Sequence, residues 1–505
     1  MKVRSLLLGC LVAFPLLAAD KPVRQATSAG SGRAQGKLNV LFIAIDDLRP
    51  ELGCYGQPVK SPHIDRLAGE GTLFERAYVQ VALCMPSRAS MLTGRRPETT
   101  GVINFKVRFR SVLPDVVTMP QHFKNHGYYA AGFGKIFHND DKATWSVPLF
   151  KSQRREDDYH TEFGRNVLKW IKEDHRRLTY VWDLGDGITK TKRPGGLPWE
   201  SPVIPDNAVR DGQIADAAIE RLRQVKNKPF FLAVGFHKPH LPFIAPKRFF
   251  DLYDRDAIEP APNPFPPKGA PKYATYNWND LRHYYGIPDI GPVSPEQARD
   301  LKWAYYACVS FVDAQVGRLL DELDRLGLRD NTVVALWGDH GWQLGEHGMW
   351  DKHSNYETST RIPLIVSAPG FQPGRSRALV ESVDIYPTLA ELAGLPLDKG
   401  LEGHSMVPLL KDPNRKWKTA AFSDYQRVIP GYGKISRGMG YTMRTDRYRY
   451  TEWRVPGTDF VEYELYDHQT DPQENVNIAN HPAQKQVLER MKKRMKQGWR
   501  GFNLR

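Results

Sequence analysis

The residue types best suited to chemistry gather in Cys84-Met85-Pro86-Ser87-Arg88, which runs on through Ala89-Ser90-Met91-Leu92-Thr93-Gly94-Arg95. Pro86 suits the first turn of a helix. Arg88 lies one helical turn beyond Cys84, so the two side chains share a face and the guanidinium can hold an anion against position 84. Backbone N–H groups at that helix start would face the same anion. The plainer alternative is a buried cysteine at an ordinary helix start. Four more polar sets directly follow apolar runs: Asp46 and Asp47 after 38–45, Lys135 and His138 after 128–133, His237 after 229–236, and Asp339 and His340 after 332–337. Two adjacent carboxylates at the end of a buried strand are unfavourable without a positive partner. A hard divalent cation, Ca²⁺ or Mg²⁺, is the natural one; a solvated Asp-Asp turn is the alternative. His237 and His240 are spaced as a zinc pair could be, but Pro239 and Pro242 exclude the regular helix that would present them. His237 therefore reads as the catalytic histidine, and His240 as a structural or substrate-side neighbour. After Asp339-His340 a Gly-rich stretch delivers Lys352, repeating the pattern of strand end followed by charge.

The runs that carry these groups are continuously apolar, as in strands covered on both faces of a parallel sheet. Helices are expected over 61–67, closed by Gly69 and Gly71, over 208–225, over 381–392 and over 483–495. The clearest covers 298–326, where Leu301, Ala304, Cys308, Phe311, Leu319 and Leu323 form one apolar stripe that ends at Gly327. Residues 440–453 and 461–466 alternate and are rich in Tyr, Thr and Arg, the pattern of antiparallel strands. Two stretches lack periodicity: 139–205, an irregular insertion expected over the site, and 260–296, a long surface loop suited to binding. The expected fold is α/β, a large mixed and mostly parallel sheet sandwiched by helices, with a smaller C-terminal α+β subdomain containing an antiparallel sheet. The expected boundaries are 37–414 for the catalytic part and 415–505 for the subdomain. Ligands in open α/β sheets bind outside the carboxyl ends of the strands, so the four polar strand ends define one site.

With 505 residues and 41% hydrophobic content the chain can bury a large core. Its formal net charge is +14, which favours a polyanionic partner, although a soluble protein can simply be basic. No Lys/Arg block or zinc-finger spacing appears, so nucleic acid is excluded. Residues 1–19 read as a secretory signal, with Lys2 and Arg4 ahead of an apolar run and Ala18-Ala19 before Asp20. The chain is therefore expected to be secreted or periplasmic; 20–36 form a disordered lead-in, and lipoprotein anchoring at Cys10 is disfavoured because the apolar run continues past it. No other segment is apolar enough to span a membrane. Cys54, Cys84 and Cys308 are too few for a disulfide framework; Cys54 and Cys308 either pair or stay buried as small apolar residues.

The Cys84–Arg88 stretch with Leu92-Thr93-Gly94 resembles the sulfatase signature, Cys-x-Pro-Ser-Arg with a trailing Leu-Thr-Gly. From about residue 38 onward the chain resembles the formylglycine-dependent sulfatase branch of the alkaline phosphatase superfamily, its iduronate-type members in particular. The segments that carry this are Ile45-Asp46-Asp47-Leu48-Arg49-Pro50, Gly134-Lys135-Ile136-Phe137-His138, the stretch from Phe231 to His240, the stretch from Asp339 to Lys352, and Gly440-Tyr441-Thr442-Met443-Arg444-Thr445-Asp446. The resemblance implies an alkaline phosphatase-like fold and conversion of Cys84 to formylglycine by a formylglycine-generating enzyme. It also implies one Ca²⁺ held by Asp46, Asp47, the modified Cys84, Asp339 and His340. A hydrated aldehyde offers one oxygen to attack sulfur and a second to expel the product. In the implied mechanism Arg88, Lys135 and Lys352 neutralise the sulfate, and Asp339 takes a proton from the hydrate. His237, with Lys352, protonates the leaving oxygen, and His138 removes the second proton. Lys135, His237, His240 and Lys352 are the implied substrate contacts. The expected activity is removal of the 2-O-sulfate of a terminal uronic acid from a sulfated oligo- or polysaccharide. A phosphodiesterase or phosphonate hydrolase of the same superfamily and a non-catalytic polysaccharide-binding protein are the alternatives. Asp351 and His353 beside Lys352, and the diverged insertion 139–205, depart from the pattern and bear on sugar specificity.

Overall fold

Seven strands form the central sheet: β1 (Asn39–Ile45), β2 (Thr72–Tyr78), β3 (Tyr129–Gly134), β4 (Phe230–Phe236), β5 (Thr332–Gly338), β6 (Arg361–Ser367) and β7 (Gly374–Glu381). This is a computed structural model, and it describes residues 37–502 apart from 154–157, 174–177, 182–188, 193–194, 276–278, 290 and 430–436. The expected signal, the lead-in and Cys10 lie outside the described residues. The strand order is β7-β2-β6-β5-β1-β4-β3. β1 pairs in parallel with β4 and β5, β3 with β4, and β7 with β2, while β6 runs antiparallel to both neighbours. Every residue of β1, β4 and β5 is buried, which is why their sequences are continuously apolar rather than alternating.

The pleat of β1 divides the core. Leu41, Ile43 and Ile45 join one apolar cluster, and Val40, Phe42 and Ala44 join the other. The first is covered by α1 (Pro62–Glu70), by α5 (Arg210–Val225) and by α6 (Pro295–Arg325); the second by α2 (Cys84–Thr93), α3 (Met119–Asn125) and α7 (Ile385–Leu392). Between α3 and α5 lies α4 (Glu162–Glu173), so the insertion 139–205 contains a regular helix and is not irregular throughout. Its buried Val167 and Ile171 give the spacing that identifies it. α6 starts three residues before the periodic stripe because Ser294 caps it. The Ser294 hydroxyl accepts from Gln297 N–H at 3.1 Å, the Gln297 amide oxygen accepts from Ser294 N–H at 3.2 Å, and Pro295 fills the first helical position.

A second sheet, β8 (Ala420–Val428), β9 (Arg437–Thr445), β10 (Tyr448–Arg454) and β11 (Val461–Asp467), is antiparallel throughout, and α8 (Lys485–Met495) packs Leu488 and Met491 against its Met443, Tyr450 and Leu465. Two expectations need correction. The helix predicted from 381 begins at Ile385, because Glu381 ends β7 and its carboxylate receives Arg96 at 2.8 Å and Lys418 at 2.6 Å. The stretch 260–296 is more than a surface loop: Asn263, Ala274 and Leu281 are buried, and Lys268 bridges to Val476. Cys54 and Cys308 are free thiols. No helix among the described residues is long and apolar enough to cross a membrane.

Candidate active site

Sheet register sets the frame. Ile45 lies level with Phe236 on one side and Gly338 on the other, so Asp46, His237 and Asp339 all leave the sheet at the same height. Lys135 follows Gly134, which is paired with Gly235. Gly134 has φ +69°, and a Cβ there would run into the Gly235 carbonyl, so the turn that delivers Lys135 requires glycine. Adjacent residues of a strand point to opposite faces. Asp47 breaks that alternation with φ +59°, a left-handed conformation that Asp tolerates better than most residues, and its carboxylate turns back beside that of Asp46. The Asp47 carbonyl accepts from Tyr305 Oη at 2.8 Å, and its N–H donates to Asp339 Oδ1 at 3.1 Å.

One ligand atom each of Asp46, Asp47, Cys84 and His340 lies within 4.8 Å of all the others, and all four residues are buried. His340 Nδ1 faces the Gly341 carbonyl at 3.0 Å, which leaves Nε2 to meet Cys84 Sγ at 3.1 Å. A histidine whose other ring nitrogen is fixed on a carbonyl is set up as a metal ligand. Asp47 Oδ1 is buried without a hydrogen-bond donor. Two carboxylates, a neutral imidazole and position 84 therefore form a donor set that fits a hard divalent cation. Asp339, the fifth predicted ligand, stands next to these four and not among them; its Oδ2 receives Arg88 Nε at 2.8 Å.

Arg88 is fully buried. Its guanidinium also reaches Asp46 at 3.4 Å and the carbonyls of Lys135 and, at 3.1 Å, Ile136, with Trp337 beneath it at 5.9 Å. Lys135 Nζ pairs with Asp46 and approaches Cys84 Sγ at 3.8 Å. Lys352 Nζ stands between Asp280 at 2.8 Å and Asp47 at 3.3 Å, over the Trp342 ring at 4.9 Å. The charges follow from burial and these neighbours. Burial works to raise the Asp46 carboxyl, but Lys135, His240 and Arg88 outweigh it and hold the group well below the usual carboxylate range. Burial pushes Asp339 up against the pull of Arg88, and it lifts the Cys84 thiol well above its ordinary value with Asp46 adding to the effect. Burial lowers His340 to about 4. Burial, helped by Lys135 and Arg88, lowers His138 to about 4 as well. For Lys352 burial acts downward, but Asp280 and Asp47 hold the ammonium well above its ordinary range.

On the substrate side, His237 is placed by groups the sequence did not mark. Asp211, at the start of α5, accepts from His237 N–H at 2.9 Å and Lys238 N–H at 2.7 Å, and Arg210 Nη1 stands 3.4 Å from the His237 ring nitrogens. Lys238 ties the following turn to the His240 carbonyl at 2.9 Å, and His240 Nε2 comes within 4.0 Å of Asp47. Asp280, from the turn Asn279–Arg282, is the other unmarked group, and it also lies 3.8 Å from His353. Asp351 is raised to about 8, by burial first and by Asp280 second. A strand-end pattern cannot find Asp211 or Asp280, because neither follows an apolar run; both act across a fold contact.

The sequence matches the Sulfatase family over residues 38–395 and the C-terminal region of N-sulphoglucosamine sulphohydrolase over 345–500. Iduronate 2-sulfatase of Homo sapiens is 36% identical over 523 aligned residues, covering 88% of this chain and 91% of that protein. Among solved structures, the phosphonate monoester hydrolase of Silicibacter pomeroyi superposes with a TM-score of 0.71 at 23% identity, covering 92% of this chain and 96% of that one. A protein solved in complex with its substrate D-glucosamine-2-N,6-O-disulfate superposes with a TM-score of 0.69 at 24% identity, covering 92% and 99%. With Cys84, Arg88 and the buried Asp46, Asp47 and His340 converging at the end of this sheet, the chain belongs to the sulfatase family and is a sulfuric ester hydrolase.

Proposed function

We propose that this chain removes the 2-O-sulfate of a terminal uronic acid from a sulfated oligo- or polysaccharide of the glycosaminoglycan type. The observation that carries the reading is the packing of Asp46, Asp47, Cys84 and His340 around one point, faced by Arg88, Lys135 and Lys352. The uronate assignment is supported by 36% identity, across most of both chains, to a protein named iduronate 2-sulfatase. A basic surround also suits a sugar bearing both carboxylate and sulfate.

Asp46, Asp47, His340 and position 84, with Asp339 beside them, would hold a Ca²⁺, which supplies a fixed positive charge for the sulfate oxygens. A buried, protonated thiol is a poor nucleophile, and Cys84 is pushed further that way by burial; this supports its conversion to formylglycine, which supplies a hydroxyl nucleophile. The other roles belong to the chain's own side chains. Arg88 is locked by two carboxylates and two carbonyls, so its guanidinium is oriented before any sulfate arrives. Asp339, raised by burial, accepts a proton at the nucleophile. His237, oriented through Asp211 and Arg210, delivers a proton to the leaving sugar oxygen, with Lys352 assisting. His138 stays neutral at pH 7 and is ready to accept a proton in the second half of the cycle. Lys135, His240 and Lys352 are the side chains proposed to contact the sulfated sugar.

The apolar run behind Lys2 and Arg4 supports secretion of the protein, and its maturation would need a formylglycine-generating enzyme. The deciding experiment is a desulfation panel of defined 2-, 4- and 6-O-sulfated oligosaccharides, with an aryl sulfate and a phosphonate ester alongside. Release from the 2-O-sulfated uronate alone is the expected result. Turnover confined to aryl sulfate or phosphonate would reject the substrate. Peptide mapping of active protein that finds an unmodified thiol at 84 would reject the nucleophile.

A further inference from the structure

Next to His138 the chain presents a group of side chains that the chemistry above does not use. The loop between Gly101 and α3 is pinned at both ends. Asn104 Nδ2 donates to Gln426 of β8 at 3.2 Å, and the Asn104 side-chain oxygen accepts from Lys106 N–H at 2.9 Å. Further on, Phe109 is buried and stacks on Phe137 at 6.0 Å, and Arg110 is held by Asp141 at 2.7 Å and Gln121 at 2.9 Å. Between these pins Phe105 stands 50% exposed, its ring 4.8 Å from the His138 imidazole. Lys106 and Arg108 are exposed too, and neither has an anionic partner among the described residues. Arg108 lines a cavity of about 100 Å³ together with Arg88, Arg110 and His138, and Asp140 and Asp141 also line it.

A single exposed Phe on a protein surface needs no explanation. This one is different in three respects: it stands on a loop pinned at both ends, it lies against an imidazole of the site, and it is flanked by two unpaired cations. A pyranose ring presents an apolar C–H face that packs on an aromatic ring, and its sulfate or carboxylate substituents require cations at the edge. We propose that Phe105, Lys106 and Arg108 form a subsite for the second sugar of an acidic oligosaccharide, the ring packing on Phe105 and its anionic groups meeting Lys106 and Arg108. The proposal rests on the reading of the substrate as a sulfated saccharide, and it adds that recognition extends past the sugar that loses its sulfate.

The test is direct binding of a heparin-derived sulfated tetrasaccharide by calorimetry, in the full chain carrying Cys84→Ser to prevent turnover. Lys106→Glu with Arg108→Glu should weaken binding by roughly tenfold or more and flatten its salt dependence, as expected on losing two charge-assisted contacts at a rim. Phe105→Ala should weaken it by about three- to tenfold with the salt dependence unchanged. Both charge-reversed residues are exposed, so that variant probes the subsite without disturbing the core. Unchanged affinity in both variants, or no binding of the tetrasaccharide, overturns the proposal. Sulfate release from the same tetrasaccharide by the converted Cys84 protein is measured separately. Affinities that shift as expected without any release would reject the substrate reading and keep the subsite; release with unshifted affinities would reject the subsite alone.

Discussion

Replacing Asp280 with Asn tests the electrostatics of the site at one atom. Lys352 Nζ has two carboxylate neighbours, Asp280 at 2.8 Å and Asp47 at 3.3 Å, and is itself 2% exposed. Breaking a buried ion pair by removing one partner costs roughly 3–5 kcal/mol. Here the loss is smaller, because Asp47 remains and the Asp280 side chain is 28% exposed, so about 1–3 kcal/mol is the appropriate range. At 1.36 kcal/mol per unit, the Lys352 ammonium should lose its proton about one to two pH units earlier in Asp280→Asn. The sign follows from the native charge pattern: Asp280 and Asp47 raise the lysine, so wild-type keeps it charged well into alkaline pH and the variant gives that up. The assay is kcat/KM against pH on one sulfate ester. The alkaline limb should move down by that amount while the acid limb stays in place, and Asp280→Glu should restore part of it. Superimposable alkaline limbs would refute the reasoning that Lys352 acts as a cation held by Asp280.

Three other outcomes are expected. Exhaustive chelation should abolish turnover and lower the melting temperature, and Ca²⁺ should restore both; full rate after chelation would exclude the Asp46–Asp47–His340 site from catalysis. Asp211→Ala removes the acceptor for two backbone N–H groups, and should destabilise the fold by about 2–4 kcal/mol in urea titrations. Its kcat should also fall about tenfold or more through misplacement of His237, and wild-type kcat in a folded variant would remove Asp211 from that role. Asp313, buried beneath α1, accepts from Ile64 N–H at 2.7 Å and is raised by burial to about 7. Its native carboxyl therefore binds a proton more tightly than the unfolded one, and the stability this contributes is lost as pH rises from about 4 to 7. The stability of Asp313→Asn relative to wild-type should improve by about 3–4 kcal/mol across that interval, and parallel urea midpoints at pH 4, 5.5 and 7 would contradict the assignment.

The amino-acid order alone determined those parts of this protein that are local in sequence. Continuous apolar runs demanded strands buried on both faces, and the polar residues that end them marked one edge of the sheet, because a buried carboxylate or imidazole there needs a partner. The cysteine and arginine of the 84–88 stretch lie on one helical face because four residues make about one turn. β2 and β7 were not legible in the same way: Glu75-Arg76 and Arg375-Ser376-Arg377 interrupt their apolar pattern, and pairing to a neighbour many residues away decides their state. The regular helix inside the insertion was hidden by its charged composition. What only tertiary structure decided is which charges meet. The bonds of the Asp47 backbone to Tyr305 and Asp339, the sharing of Lys352 with Asp280, the hold of Asp211 on the His237 loop and the placement of Phe105 against His138 all join residues distant in sequence. Sequence patterns report how a segment faces the core, whereas an ion pair or ring contact depends on where two segments cross, and that is set by the packing of the whole chain.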